Sequence, residues 1–260
     1  MTTYKDILLE KQEAVAILTL NNPESRNALT EETKDEMIAA LGEVERDGEA
    51  RALIVTGRGP AFCAGGDVKK IGVELTNAEI HQIMGKSQEL LGKLVNLEKP
   101  VVSAVNGDAF GMGCNLALAA DFTLASDKAR FCEVFVKLGL IPDFGTLYFL
   151  PRLVGLQKAK ELVYLGDVVM AQQAAQMGLV YKVVADQELM KEAMALAGRL
   201  AKMPTKAIGR AKKVLNRFDM TLPEVLAEEV ESQEVLTRTE DHREGVRALL
   251  EKRAPKFQGK

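Results

Sequence analysis

Two apolar, strand-like segments of this chain run straight into glycine-rich turns, and each turn opens a helix-like stretch. This pairing limits the possible fold more than any other feature. The first segment is Ala52-Leu53-Ile54-Val55-Thr56, and its turn closes on Phe62-Cys63-Ala64-Gly65-Gly66-Asp67. The second spans residues 101–105 and leads through Gly107 into Gly111-Met112-Gly113-Cys114-Asn115. Glycine lets a backbone approach a neighbour or a ligand closely, and the first turn of a helix carries N–H groups with no helical acceptor. Each turn alone is most simply a tight strand-to-helix connection. Two such turns converging make an oxyanion hole, a set of backbone donors that stabilises negative charge developing on a carbonyl oxygen.

The rest of the chain continues this alternation. Residues 14–20 (AVAILTL) read as a buried strand, ended by the polar turn Asn21-Asn22-Pro23-Glu24-Ser25. Met37, Ile38, Leu41 and Val44 repeat at three- and four-residue spacing, which predicts an amphipathic helix from about Thr30. Thr76 and Glu79 form a capping-box pattern that opens a long helix ending before Pro100. An apolar helix is expected over residues 116–120, with strands around residues 122–124 and 130–131. Beyond Pro142 helix dominates, and from Asp186 onward it is nearly continuous, with another N-terminal signal at residues 221–224. The expected organisation is an α/β core over residues 1–190 and a helical module over residues 191–260. Apolar stripes on that module, with little sheet of its own to cover them, suggest a subunit interface.

Composition narrows the class of function. A chain of 260 residues with 47% hydrophobic and 27% charged residues is ordinary for a soluble enzyme. A formal net charge of −3 gives no general attraction to nucleic acid or an anionic membrane. Cys63, Cys114 and Cys132 lie in apolar contexts without metal-ligand spacing. They read as reduced core thiols, hence a cytoplasmic location, and no metal site is expected. The N-terminus lacks a signal-peptide pattern, and no apolar run approaches the length of a bilayer span.

Taken in order, the motifs resemble those of the crotonase (enoyl-CoA hydratase/isomerase) superfamily over nearly the whole chain. They are N-P-E-S-R-N-A-L (22–29), A-F-C-A-G-G-D (61–67), K-P-V-V-S-A-V-N-G (99–107), F-G-M-G-C-N-L-A (110–117), G-L-I-P-D (139–143), G-L-V (178–180) and the tail E-G-V-R-A-L-L-E-K-R-A-P-K-F (244–257). The resemblance implies a ββα spiral core with a helical C-terminal oligomerisation module, assembled as a homotrimer or homohexamer. It implies an acyl-CoA thioester substrate and no separate cofactor, coenzyme A being part of the substrate. By the same resemblance Gly66 and Met112 donate the two oxyanion-hole N–H groups. Arg26, Ala28, Ala64 and Gly65 hold the CoA adenine and phosphates, and Lys256 and Phe257 reach the CoA of a neighbouring subunit. Read without the family, Arg26 is equally a solvated surface charge.

The chain departs from the hydratase pattern at two positions. Where hydratases of the family carry their catalytic glutamates, this sequence has Asn115 and Phe135. Adding water needs groups that deprotonate it and deliver a proton, which an amide and a phenyl ring cannot do. A carboxylate stands nearby at Asp143, whose simplest reading is an N-cap for a helix over residues 144–150. The segment K-L-G-L-I-P-D resembles the ring-epoxide (phenylacetate-pathway) isomerase branch, which implies that Asp143 is the acid/base. One carboxylate suffices for an isomerase that moves a double bond by a 1,3-proton shift, and Phe135, Phe144 and Met112 would line an apolar pocket. The alternatives are a hydratase or a non-catalytic acyl-CoA-binding homologue. The dehalogenase branch needs a tryptophan that is absent here, and the RNA-binding branch needs a lysine-lined first helix where this chain has Glu31-Glu32-Thr33-Lys34-Asp35-Glu36. Glu133 is expected in an extended segment, facing the same way as Phe135, and more simply as a solvated or ion-paired residue. Asp67 reads as a helix cap, and His81 and His242 as surface residues. Residues 68–80 are expected to help shape the acyl pocket.

Overall fold

The computed structural model of the chain describes residues 3–67, 74–217 and 219–260. Its strands are β1 (Ile7–Gln12), β2 (Val15–Leu20), β3 (Ala52–Gly57), β4 (Ala61–Cys63), β5 (Val101–Val105), β6 (Asp108–Phe110), β7 (Phe122–Ser126), β8 (Arg130–Cys132), β9 (Val169–Met170) and β10 (Lys182–Val184). Its helices are α1 (Glu31–Arg46), α2 (Asn77–Asn96), α3 (Met112–Leu118), α4 (Thr146–Val154), α5 (Leu156–Leu165), α6 (Ala171–Gln176), α7 (Leu189–Ala201), α8 (Thr205–Leu215), α9 (Leu222–Leu236) and α10 (Glu240–Leu250).

The strands form two sheets, ordered β1-β2-β3-β5-β7-β10 and β4-β6-β8-β9. Three times the chain crosses from the large sheet to the small one after a short turn, as β3 to β4, β5 to β6 and β7 to β8. Helices follow each crossing, giving the expected ββα spiral. Pairing along β2-β3-β5-β7 and along β4-β6-β8 is parallel. Central parallel strands are covered on both faces, which explains why residues 52–56 and 101–105 read as unbroken apolar runs. Alternate residues divide between the faces. Leu53 and Val55 enter the main core, while Ala52 and Ile54 pack under α7 with Leu189, Ala193, Ala197 and Ala201. The expected division between residues 190 and 191 thus falls inside a helix that covers the sheet.

Several sequence signals appear as hydrogen bonds. Thr30 Oγ1 accepts from the Thr33 N–H at 3.1 Å and caps α1. Thr76 and Glu79 close both halves of their capping box, as do Thr221 and Glu224. Three details differ from expectation. The helix expected over residues 116–120 begins earlier, at Met112, because Gly111 at φ +51° serves as its N-cap. β1 was not anticipated: its outer half, Glu10-Lys11-Gln12, is exposed and polar, as suits an edge strand. Glu133 is not in an extended run, since Val134–Leu138 turns into a 3-10 helix. The segment that Asp67 was expected to cap begins in residues 68–73, which lie outside the described residues, as does that part of the expected acyl-pocket loop. Leu222, Leu226, Val230 and Val235 on α9, and Val246, Leu249 and Leu250 on α10, are exposed. No helix among the described residues is long and apolar enough to cross a membrane.

The packing of α3 against β4 tightly constrains the layout. A Cβ on Gly113 would sit inside the contact distance of the Cys63 carbonyl oxygen at the end of β4. Gly113→Ala should therefore destabilise the fold by about 2 kcal/mol or more, overpacking against main chain that cannot rotate away. Urea unfolding checks this; an unchanged midpoint would remove this contact from the account.

Candidate active site

The two glycine-rich turns meet. Gly65, at φ +107°, lies against the second turn so closely that a Cβ there would be 2.9 Å from the Phe110 carbonyl oxygen and 3.8 Å from the Met112 nitrogen. Beyond it, Gly66 faces open space. Met112 is the first residue of α3, so its N–H has no helical acceptor. Neither the Gly66 nor the Met112 N–H donates to backbone among the described residues. Met112's side chain is buried in the main core.

A third segment runs alongside. Arg26 and Asn27 are consecutive residues with left-handed backbone, at φ +56° and +59°. Asn27 is held there because its buried side chain donates to the Arg58 and Ala61 carbonyls at 3.0 and 2.8 Å. From this corner the Leu29 N–H donates to Gly65 O at 2.8 Å, and the Ala64 N–H donates to Arg26 O at 3.0 Å. Arg26, Ala28, Ala64 and Gly65 are thus brought together beside the donor pair. Arg26 is not a freely solvated charge: its guanidinium pairs with buried Asp108, which also takes two bonds from Arg130 at 2.6 and 2.8 Å. Lys256 and Phe257 lie elsewhere within the chain. The Phe257 carbonyl accepts from Arg51, at the start of β3, whereas the glycine turn follows the end of β3. They fold back on α10, where Phe257 packs at Gly245 and the Lys256 N–H donates to Glu244.

Asp143 stands on the loop between the 3-10 turn and α4. It does not cap that helix: α4 starts at Thr146 with Gly145 as N-cap and no side-chain capping bond. Instead the Asp143 carbonyl accepts from the Asn115 amide at 2.9 Å and from the Thr146 N–H at 3.2 Å. Phe144, at φ +50°, and Gly145, at φ +74°, carry the chain through two left-handed residues, a strained course for a phenylalanine. Phe144 and Phe135 are both buried, and Phe135 lies against Gly111. Several polar atoms of this region have no hydrogen-bond partner among the described residues: Asp143 Oδ1, Asn115 Oδ1, Thr146 Oγ1 and both oxygens of Glu133. Native interiors rarely leave such atoms unpaired without a functional reason.

Burial pushes the Asp143 carboxyl up to about 6, with the Lys34 ammonium acting in the opposite sense. Glu133 is only 3% exposed, so it is neither solvated nor ion-paired as expected. Burial pushes it up to about 7; the neighbouring Cys114 thiol favours its ionised form, and the charge of Asp143 opposes it. Sequence reasoning missed Lys34, which is 2% exposed and bonded to Glu31 at 2.5 Å and Ser87 at 3.2 Å. The available signal was its place on the apolar stripe of α1, three residues before Met37. The three cysteines are free and buried, and His81 and His242 are exposed, as expected. No metal-binding cluster occurs among the described residues.

Comparison with known proteins gives a consistent picture. The family model described as enoyl-CoA hydratase/isomerase matches residues 10–260. A 1,2-epoxyphenylacetyl-CoA isomerase of Escherichia coli (strain K12) is 40% identical over 260 residues, covering 98% of each chain. A crotonyl-CoA hydratase of Syntrophomonas wolfei is 38% identical over 256 residues, again covering 98% of each. Among solved structures, a putative enoyl-CoA hydratase from Streptomyces coelicolor A3(2) superposes with a TM-score of 0.94 at 35% identity, covering 100% of this chain and 96% of the other.

The two raised carboxyls make stability pH-dependent. The folded state keeps both protonated to higher pH than the unfolded chain does. Their contribution is full below the ordinary carboxylate range and is lost as pH rises through about 6 for Asp143 and about 7 for Glu133. Glu133→Gln cannot ionise. It should match the wild type near pH 5 and exceed it near pH 8, by on the order of 2–3 kcal/mol. Thermal melts at both pH values check this; the same difference at both would show that Glu133 is not desolvated.

Proposed function

The chain belongs to the enoyl-CoA hydratase/isomerase family, and from that footing we propose that it is an isomerase moving a double bond within an enoyl-CoA or a related cyclic or aromatic-derived thioester. The observation that carries this reading is the half-buried carboxyl of Asp143, whose Oδ1 has no partner among the described residues, on the residue that Asn115 holds; Asn115 and Phe135 stand where hydratases of the family keep glutamates. In the proposed reaction Asp143 takes a proton from the α-carbon and returns it to the γ-carbon. The enolate oxygen meanwhile accepts the N–H groups of Gly66 and Met112, at roughly 3 Å. A carboxyl with its pKa raised by desolvation is a stronger proton acceptor once substrate closes the site. The apolar walls of Phe135 and Phe144 exclude water and favour proton return over hydration. The relative named 1,2-epoxyphenylacetyl-CoA isomerase supports this choice.

A hydratase is the second reading. Glu133 lies close enough to feel the charge of Asp143, and two such carboxyls could position and deprotonate a water; several relatives are named hydratases. Product analysis separates the two: a 3-enoyl-CoA gives the 2-enoyl isomer in the first case, and crotonyl-CoA gives the 3-hydroxy product in the second.

Assembly as a trimer or a dimer of trimers is part of the proposal. The exposed apolar residues of α9 and α10 would be covered, and Lys256 and Phe257 would serve a neighbour's CoA, since within one chain they sit at the far end of β3. Light scattering at micromolar concentration should give a multiple of three; a monomer would sink this part.

Asp143→Asn should abolish isomerisation while leaving CoA-thioester affinity nearly intact, because the donor pair and CoA-side residues are untouched. Gly66→Pro, which removes one donor, should cost about 10²-fold or more in turnover. Activity surviving in Asp143→Asn and lost in Glu133→Gln would move the base to Glu133.

A further inference from the structure

Glu133 is a buried titratable group that the isomerase mechanism leaves unused, and its surroundings open away from the substrate side. A cavity of about 10 Å³, room for roughly one water, lies behind it and is lined by Cys114, Cys132, Glu133, Leu162, Asp167 and Val169, among others. Leu162, Asp167 and Val169 also line a second, larger hollow that reaches the surface between α5 and α6. Asp167 is exposed. On its other side Glu133 and Asp143 meet the same turn of α3: Cys114 lines the Glu133 cavity, and the adjacent Asn115 amide holds the Asp143 carbonyl at 2.9 Å, so the charge of Asp143 acts on Glu133. Among the described residues only the weakly donating Cys114 thiol approaches its oxygens, and no stronger partner fixes its proton in place.

We propose that Glu133 is a proton relay acting through Asp143, connecting that half-buried base to solvent by a rear path through this cavity and past Asp167. The inference rests on Asp143 being the base. After Asp143 has taken a substrate proton, its O–H bond breaks and an O–H bond forms on Glu133, the negative charge passing the other way. Glu133 then releases that proton to a water in the cavity, which passes one of its own to the Asp167 carboxylate and so to bulk. The reverse sequence returns a solvent proton, with no net change in charge and no other reactant. A base served in this way exchanges its proton with solvent while substrate closes the front of the site. A base without such a path hands back the same proton it removed.

The experiment uses the full chain in D₂O with two probes. With butanoyl-CoA, a saturated thioester, deuterium entering the α-carbon reports how fast the base exchanges with solvent. With a 3-enoyl-CoA, the deuterium content of the 2-enoyl product reports how often exchange precedes proton return. In the wild type, product should carry solvent deuterium in most turnovers. In Glu133→Gln, deuterium content and α-exchange should fall about ten-fold, and isomerisation by much less, a split that a merely structural role would not produce. Val169→Ile, which narrows the cavity and leaves Glu133 in place, should lower deuterium content in the same direction. Equal deuterium content in wild type and Glu133→Gln overturns the relay while leaving Asp143 as base. A wild type that isomerises the 3-enoyl-CoA yet exchanges no α-proton overturns the relay alone; a wild type that does neither overturns the assignment of the base, and the relay with it.

Discussion

Where the first turn of α3 meets the end of β4, main chain lies on main chain with no side chain between them. Gly113 permits this by lacking a Cβ that the Cys63 carbonyl would exclude. The rest of the site follows from that seat. It sets Gly65 against Phe110 and Met112, and the hydrogen bonds from Leu29 to Gly65 and from Ala64 to Arg26 then draw the third segment alongside. Asn27 fixes that segment by bonding two carbonyls of the 58–61 turn, so its left-handed backbone is stabilised by the very strand connection it reads. Three stretches far apart in sequence, residues 26–29, 58–65 and 110–113, are held in place by backbone contacts and by a buried amide.

The carboxyls at the other wall obey a different logic. A buried carboxyl without partners costs several kcal/mol when ionised, and stability alone would favour an apolar residue there. Glu133 remains buried and Asp143 half-buried, and Lys34, the buried cation whose charge acts on Asp143, is already committed to Glu31 and Ser87. The cation moderates Asp143 without pairing to it, leaving a proton acceptor in place of an ion pair. The strained course through Phe144 and Gly145 belongs to the same arrangement, since it leaves the Asp143 carbonyl to be claimed by Asn115 and its carboxyl unclaimed.

The strand–helix alternation was legible because each central strand is buried on both faces and several of the longer helices carry a capping signal. Thr30, Thr76 and Thr221 marked helix starts through local chemistry that tertiary contacts did not override. β1 escaped because an edge strand with one polar, exposed half carries neither a clean alternation nor an apolar run. Glu133 was misread for a related reason: charge in a sequence suggests solvent, and only the three-dimensional packing of α3, α4 and α5 removes it from water. The same holds for Lys34, whose burial depends on α2 lying across α1 at Ser87. Read without the family, Asp143 looked like a helix cap, because a Pro-Asp pair before a helix reads as one until the positive φ of Phe144 and Gly145 is known.

The spiral has a kinetic consequence. Its parallel pairs join residues far apart along the chain: Leu53 pairs with Val101, and Leu124 with Lys182. Each pairing can form only after an intervening loop of dozens of residues has closed, so the entropic loss comes before the contacts that offset it. Folding rate falls steeply as such distant contacts come to dominate. A newly made chain will therefore pass through collapsed forms in which the strand edges of β3 and β5 are still unpaired. Its yield in the cell is then set by how long those edges stay exposed as much as by the stability of the finished fold.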